Sequence, residues 1–151
     1  MIFQTLAAII GSLGFSIIFN IKGKNLIFAA LGGGVSWLSY LIFLKIGLSG
    51  LLAMFLSSII FSIYSEVFAR ILKTPVTTLV ICCLIPLVPG AGMYNTMYAI
   101  VTGKTSEALN LALTTLASAG NLALGIILVS TITIHIKLYK QSNSKKRYWI
   151  K

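Results

Sequence analysis

The placement of charge constrains this chain more than any other feature. Five stretches carry no Lys, Arg, Asp or Glu: 1–21, 25–44, 46–65, 74–103 and 108–136. The first three are each about 20 residues, the length that a helix needs to cross ~30 Å of hydrocarbon. A β-barrel would alternate polar and apolar positions over ~10-residue strands, and Leu26-Ile27-Phe28-Ala29-Ala30-Leu31 does not alternate. With 58% hydrophobic and 9% charged residues, the chain cannot surround a packed core with a charged surface. The expected fold class is an all-α integral membrane protein with five transmembrane helices.

Approximate spans are expected at 2–21, 25–45, 47–69, 75–102 and 106–136, forming one membrane domain over 1–136, followed by a basic tail at 137–151. The first stretch has no basic residue before its apolar run, and Lys22 and Lys24 follow it, so it reads as a retained span and not a cleaved signal. Cys82 and Cys83 are adjacent, which suits neither a metal site nor a structural disulfide, and they read as small core residues.

The fourth stretch holds all three prolines, Pro75, Pro86 and Pro89. Pro86, Pro89, Gly90 and Gly92 fall within seven residues, where missing amide donors and permissive glycines interrupt a helix. The fourth helix is therefore expected to be discontinuous, crossing once or returning as a re-entrant hairpin. If it crosses once, Lys22, Lys24, Arg70, Lys73, Lys137, Lys140, Lys145, Lys146, Arg147 and Lys151 share one side, leaving Lys45 and Lys104 on the other. The positive-inside rule favours that arrangement, with the N-terminus outside and the C-terminus cytoplasmic. Unpaired backbone at membrane depth survives only when buried in protein or lining a polar cavity, as in transporters whose broken helices coordinate substrate. Tyr94, Asn95 and Tyr98 follow the break at helical spacing, and either line a polar path or hydrogen-bond to neighbouring helices.

Gly32-Gly33-Gly34 in the second span cost about 1 kcal/mol each in helix propensity, so close packing or local unwinding must compensate. In the fifth span Asn110, Thr114, Ser118 and Asn121 form one polar stripe that must face a helix or a solvated path. Glu66 is a candidate coupling acid for a proton or cation, and it also stands four residues before Arg70, the spacing of a salt bridge. Glu107 suits the first turn of the fifth helix. Six basic residues in the tail, interleaved with Tyr139, Tyr148 and Trp149, are expected to bind anionic lipid, and nucleic acid is not an expected partner.

No metal, Walker-A or dinucleotide signature is present, and two acids with one histidine cannot assemble a familiar hydrolytic site, so neither an enzyme nor a cofactor is expected. The segment Pro86-Leu87-Val88-Pro89-Gly90-Ala91-Gly92-Met93-Tyr94-Asn95-Thr96-Met97, with Gly103 and the Asn121-bearing fifth helix, resembles the threonine/serine exporter family. The chain looks like the small stand-alone version of that family's C-terminal membrane half. The resemblance implies a plasma-membrane secondary transporter subunit that exports small amino acids, draws on the proton gradient and works with a larger membrane subunit of the same family. The candidate path for a small polar solute, read from this chain's own residues, comprises Pro86, Pro89, Gly90, Gly92, Tyr94, Asn95, Tyr98, Asn110 and Asn121. A carrier subunit for small dicarboxylates such as succinate and a non-transporting membrane scaffold are the alternatives, and homo-oligomers are compatible with the sequence.

Overall fold

In a computed structural model, residues 1–148 are described, with side chains described to Tyr139. The chain folds as α1 (Ile2–Ile18), α2 (Lys24–Lys45), α3 (Gly50–Leu72), α4 (Val76–Leu84), a 3-10 turn (Ile85–Leu87), α5 (Gly90–Val101) and α6 (Thr105–Tyr148). Among the described residues there is no strand. Helices α2, α3 and α6 are long and apolar enough to cross a membrane, and α4 with α5 forms one further span if the bent pair is counted together. At 17 residues, α1 is shorter than the expected span 2–21 and extends only ~25 Å.

Four helices end in the same way. The N–H two or three residues past the helix returns to a carbonyl five positions earlier, as in Ile21 to Ser16 (3.0 Å), Leu48 to Phe43 (3.2 Å), Thr74 to Ala69 (3.0 Å) and Lys104 to Ala99 (2.9 Å). The preceding residue takes a positive φ: Asn20, Gly47, Lys73 and Gly103. These turns satisfy carbonyls that would otherwise be orphaned and reverse the chain within a few residues, so consecutive helices lie side by side.

Helix α2 is the hub, packing against α1, α3 and α4. Its glycine triplet stays helical because each glycine admits a different neighbour. A Cβ on Gly32 would meet Cys83 of α4 and Tyr64 of α3, one on Gly33 would meet Ser12 of α1, and one on Gly34 would meet Ile9 of α1. Close packing, not unwinding, thus compensates for the poor propensity. Gly125 does the same for α6, where Ser58 and the Phe55 carbonyl of α3 occupy the space of a side chain.

Burial is inverted relative to a water-soluble protein. Ser12, Ser16, Ser36, Ser57, Ser58, Ser62 and Ser65 are buried with Ala29, Ala30 and Ala53, whereas Ile2, Phe3, Ile10, Leu116 and Ile127 face outward. Most of the seryl hydroxyls donate to carbonyls one turn back in their own helix, including Ser16 to Ser12 (2.6 Å) and Ser65 to Phe61 (2.8 Å). Small and hydroxylic residues inside with large apolar residues outside is the pattern of helices associating in lipid. Two clusters of larger residues complete the interior, one around Leu79 and Cys82 and the other around Phe61, Cys83, Leu87 and Leu122.

Candidate functional site at the helix break

The break is built from two prolines acting in sequence. Pro86 and Pro89 lack the N–H groups that a continuous helix would direct to the carbonyls of Cys82 and Ile85. The Ile85 carbonyl instead accepts from the Val88 N–H at 3.3 Å, closing the 3-10 turn. Pro89 then adopts φ −75° and ψ 55°, and the Gly90 N–H donates to the Val88 carbonyl at 2.7 Å, an inverse γ-turn. The two helical halves diverge by 54°. The turn begins about 15 Å along the axis from the start of α4, halfway across a ~30 Å hydrocarbon layer.

Beyond the bend the chain changes partners. Helix α4 packs on α2 and α3, with Leu79, Cys82 and Cys83 fully buried, while α5 packs along α6. Gly92 permits this second contact, since a Cβ there would meet Thr115 of α6. Asn121 joins α6 to α3 through an Nδ2 donation to the Leu51 carbonyl at 3.2 Å.

A groove of about 320 Å³ lies against the break, lined by Gln4, Ala8 and Gly11 of α1, Trp37 of α2, and Ile85 and Pro86. Its volume is at the small end of the ~300–1,000 Å³ range of small-molecule sites. Ser12 also borders it. The Ser12 hydroxyl and the Trp37 indole N–H are enclosed and lack a hydrogen-bond partner among the described residues, as are the Ser57 and Ser62 hydroxyls. Unpaired polar groups beside an interrupted helix are costly in a purely structural packing layer.

The residues singled out from sequence do not converge on one cavity. Pro86 lines the groove, while Pro89 and Gly90 form the turn and begin α5. Tyr94, Asn95 and Tyr98 lie on the outer face of α5 and are exposed, the two tyrosine rings stacked with centroids 6.3 Å apart. Asn110 is exposed on α6, with its carbonyl accepting from Thr114, and the Ser118 hydroxyl donates to the Thr114 carbonyl at 2.8 Å. Part of the polar stripe is thus satisfied within its own helix. Glu66 stands apart from the break, 3.5 Å from Arg70, with its side chain only 14% exposed. Glu107 pairs with Lys104 at 3.3 Å at the opening of α6. Most of the basic tail, from Lys140 onward, lies outside the residues whose side chains are described.

Gln4, Ser12 and Trp37 enter the groove without having been singled out. Trp37 carried a usable signal, because it sits well inside its span, away from the interfacial belt where tryptophan is usual. Ser12, one of two serines in the apolar α1, carried none.

Neither a curated protein nor a solved structure matches the chain. The sequence profile of a family described as Threonine/Serine exporter, ThrE, matches residues 4–132. The match runs from the first turn of α1 through the break and along α6, and the chain belongs to the threonine/serine exporter family.

Proposed function

We propose that this chain is a plasma-membrane subunit of a secondary transporter that exports small amino acids such as threonine and serine. The observation that carries the reading is the groove at the broken helix in a chain of this family. In this reading the chain crosses five times, counting the α4–α5 pair once and including the short α1, and the positive-inside rule supports an outside N-terminus and a cytoplasmic basic tail. The path for a small polar solute passes the break, where the uncapped N-terminus of α5 offers amide donors to a carboxylate and neighbouring hydroxyls suit a hydroxylated side chain. Proton coupling is assigned to Glu66, the acid enclosed among the helices.

The reading includes a larger partner subunit of the same family. It is supported by the outer face of α5 and α6, where Tyr94, Asn95, Tyr98 and Asn110 would be costly against lipid and favourable against another membrane helix.

The test is efflux of labelled threonine and serine from preloaded cells with this chain present, deleted, or carrying Gly11→Leu. A Cβ on Gly11 meets nothing within 4 Å, so the larger side chain extends into the groove without displacing a helix. Efflux should fall on deletion and with Gly11→Leu, while Glu66→Gln should remove its dependence on the proton gradient. Unchanged efflux after deletion would overturn the exporter reading, and export of succinate in place of serine would transfer it to a dicarboxylate carrier.

A further inference from the structure

A second cavity lies at the opposite end of the bundle from the turn between α5 and α6. It measures about 500 Å³ and is lined by Glu66 and Arg70 of α3, Thr74 and Val76 at the start of α4, and Thr133 and Lys137 of α6. Three elements therefore contribute to one recess at the end of a 23-residue helix, the depth of a membrane–water interface. Two cations from different helices border it, and the Glu66 carboxylate lies 3.5 Å from one of them. The net formal charge of the lining is +1.

The backbone adds to this field. Helix α4 starts at Val76 after Pro75, which offers no side-chain cap, so the positive end of that helix borders the recess with no acid in its own first turn. The hydroxyls of Thr74 and Thr133 supply further donors at the rim. A guanidinium, an ammonium, a helix N-terminus and two hydroxyls around an interfacial recess match a singly charged phosphodiester oxygen pair.

We infer that this recess between α3, α4 and α6 is a binding site for the phosphodiester headgroup of an anionic phospholipid. The site is distinct from diffuse attraction to the basic tail, because it depends on particular charges in a cavity, Lys137 at the tail's start among them, and not on how many basic residues the tail holds. It rests on the membrane reading of the chain and is independent of what the chain transports. Occupancy would brace α6 against the α3–α4 turn, at the far end of α4 from the break.

The test is native mass spectrometry of the intact purified chain with dioleoylphosphatidylglycerol, using dioleoylphosphatidylcholine as the zwitterionic comparison. Each removed charge should lower phosphatidylglycerol retention about fivefold, as for a basic residue at an anionic membrane surface. Arg70→Gln and Lys137→Gln should show that loss, whereas Lys24→Gln, a basic residue outside the recess, should leave retention unchanged. Glu66→Gln should raise retention severalfold, since it removes the opposing charge. That opposite sign separates binding from misfolding, which would lower retention in every variant. Equal losses in Lys24→Gln and Arg70→Gln would reduce the effect to general surface charge and overturn the site. Displacement of the lipid by millimolar inorganic phosphate would make it a soluble-anion site and overturn the lipid assignment. Equal retention of phosphatidylcholine would overturn the requirement for net negative charge.

Discussion

Replacing Gly33 with alanine isolates the packing that holds α1 on the α2 hub. In an exposed helix the same change would stabilise by about 1 kcal/mol through propensity. At Gly33 the new methyl would overlap both the Oγ and the Cβ of Ser12, with the Ala8 carbonyl at 3.5 Å behind them. Ser12 is fully buried, so the contact can relax only by moving one helix off the other. Overpacking of this kind costs about 1–3 kcal/mol, which cancels the propensity gain and leaves a net loss of up to about 2 kcal/mol. Gly120, with nothing within 4 Å of its Cβ, supplies the reference: Gly120→Ala should gain the full propensity term. Ser12→Gly removes both clashing atoms and leaves only an ordinary contact with Ala8. In that background Gly33→Ala should stabilise as Gly120→Ala does, giving a coupling energy of about 1–3 kcal/mol between positions 12 and 33. Thermal unfolding of the detergent-purified protein resolves this, at roughly 2–4 °C per kcal/mol for a chain of this length. The three glycines should also rank. Gly34→Ala should be mildest because Ile9 meets it with a flexible side chain, and Gly32→Ala should be harsher because Tyr64 is held by its hydroxyl donation to the Phe28 carbonyl at 2.9 Å. If Gly33→Ala raised the melting temperature in the wild-type background as much as Gly120→Ala, the α1–α2 packing argument would be wrong.

Other outcomes follow from single contacts. Asn121→Leu loses the bond to the Leu51 carbonyl and should destabilise the α3–α6 seam by about 0.6–1.7 kcal/mol, read by the same thermal assay. Cys82 and Cys83 are fully buried, so N-ethylmaleimide should label neither until the protein is denatured, and mass spectrometry would detect any native adduct. In a cysteine-free background, cysteines replacing Lys45 and Lys104 should react with an impermeant maleimide added to intact cells, while those replacing Lys22 and Lys73 should react only after lysis. Labelling of position 104 from the same side as position 73 would show that the fourth segment is re-entrant.

Charge spacing located the helical segments because lipid tolerates few ionised groups, but helix ends answer to a different physics. The apolar stretch continues to Ile21, yet α1 stops at Ile18 because Asn20 adopts the left-handed conformation that closes the terminal turn. Likewise α3 begins at Gly50, where the Ser49 side chain accepts from the Leu52 N–H at 3.4 Å, three residues past the expected span start at 47. Hydropathy is blind to both events. The glycine triplet announced close approach, since three poor helix formers in a row need compensation, but the identity of the neighbours depends on which helices the loops bring alongside.

The same distinction separates the break from its consequences. Two missing amide donors within four residues interrupt a helix wherever they occur, so the bend was legible in Pro86 and Pro89 alone. What the bend accomplishes depends on shape complementarity between distant positions: Gly92 receives Thr115, and Gly125 receives Ser58. The first seats α5 on α6 and the second seats α6 on α3, so Tyr94, Asn95 and Tyr98 turn outward while Pro86 stays against α1. Residues grouped in sequence as one candidate path therefore divide between two surfaces, a groove against α1 and the outer face of α5. In the proposed two-subunit exporter, that division would let a single broken helix serve the solute path on one side of the bend and the partner on the other.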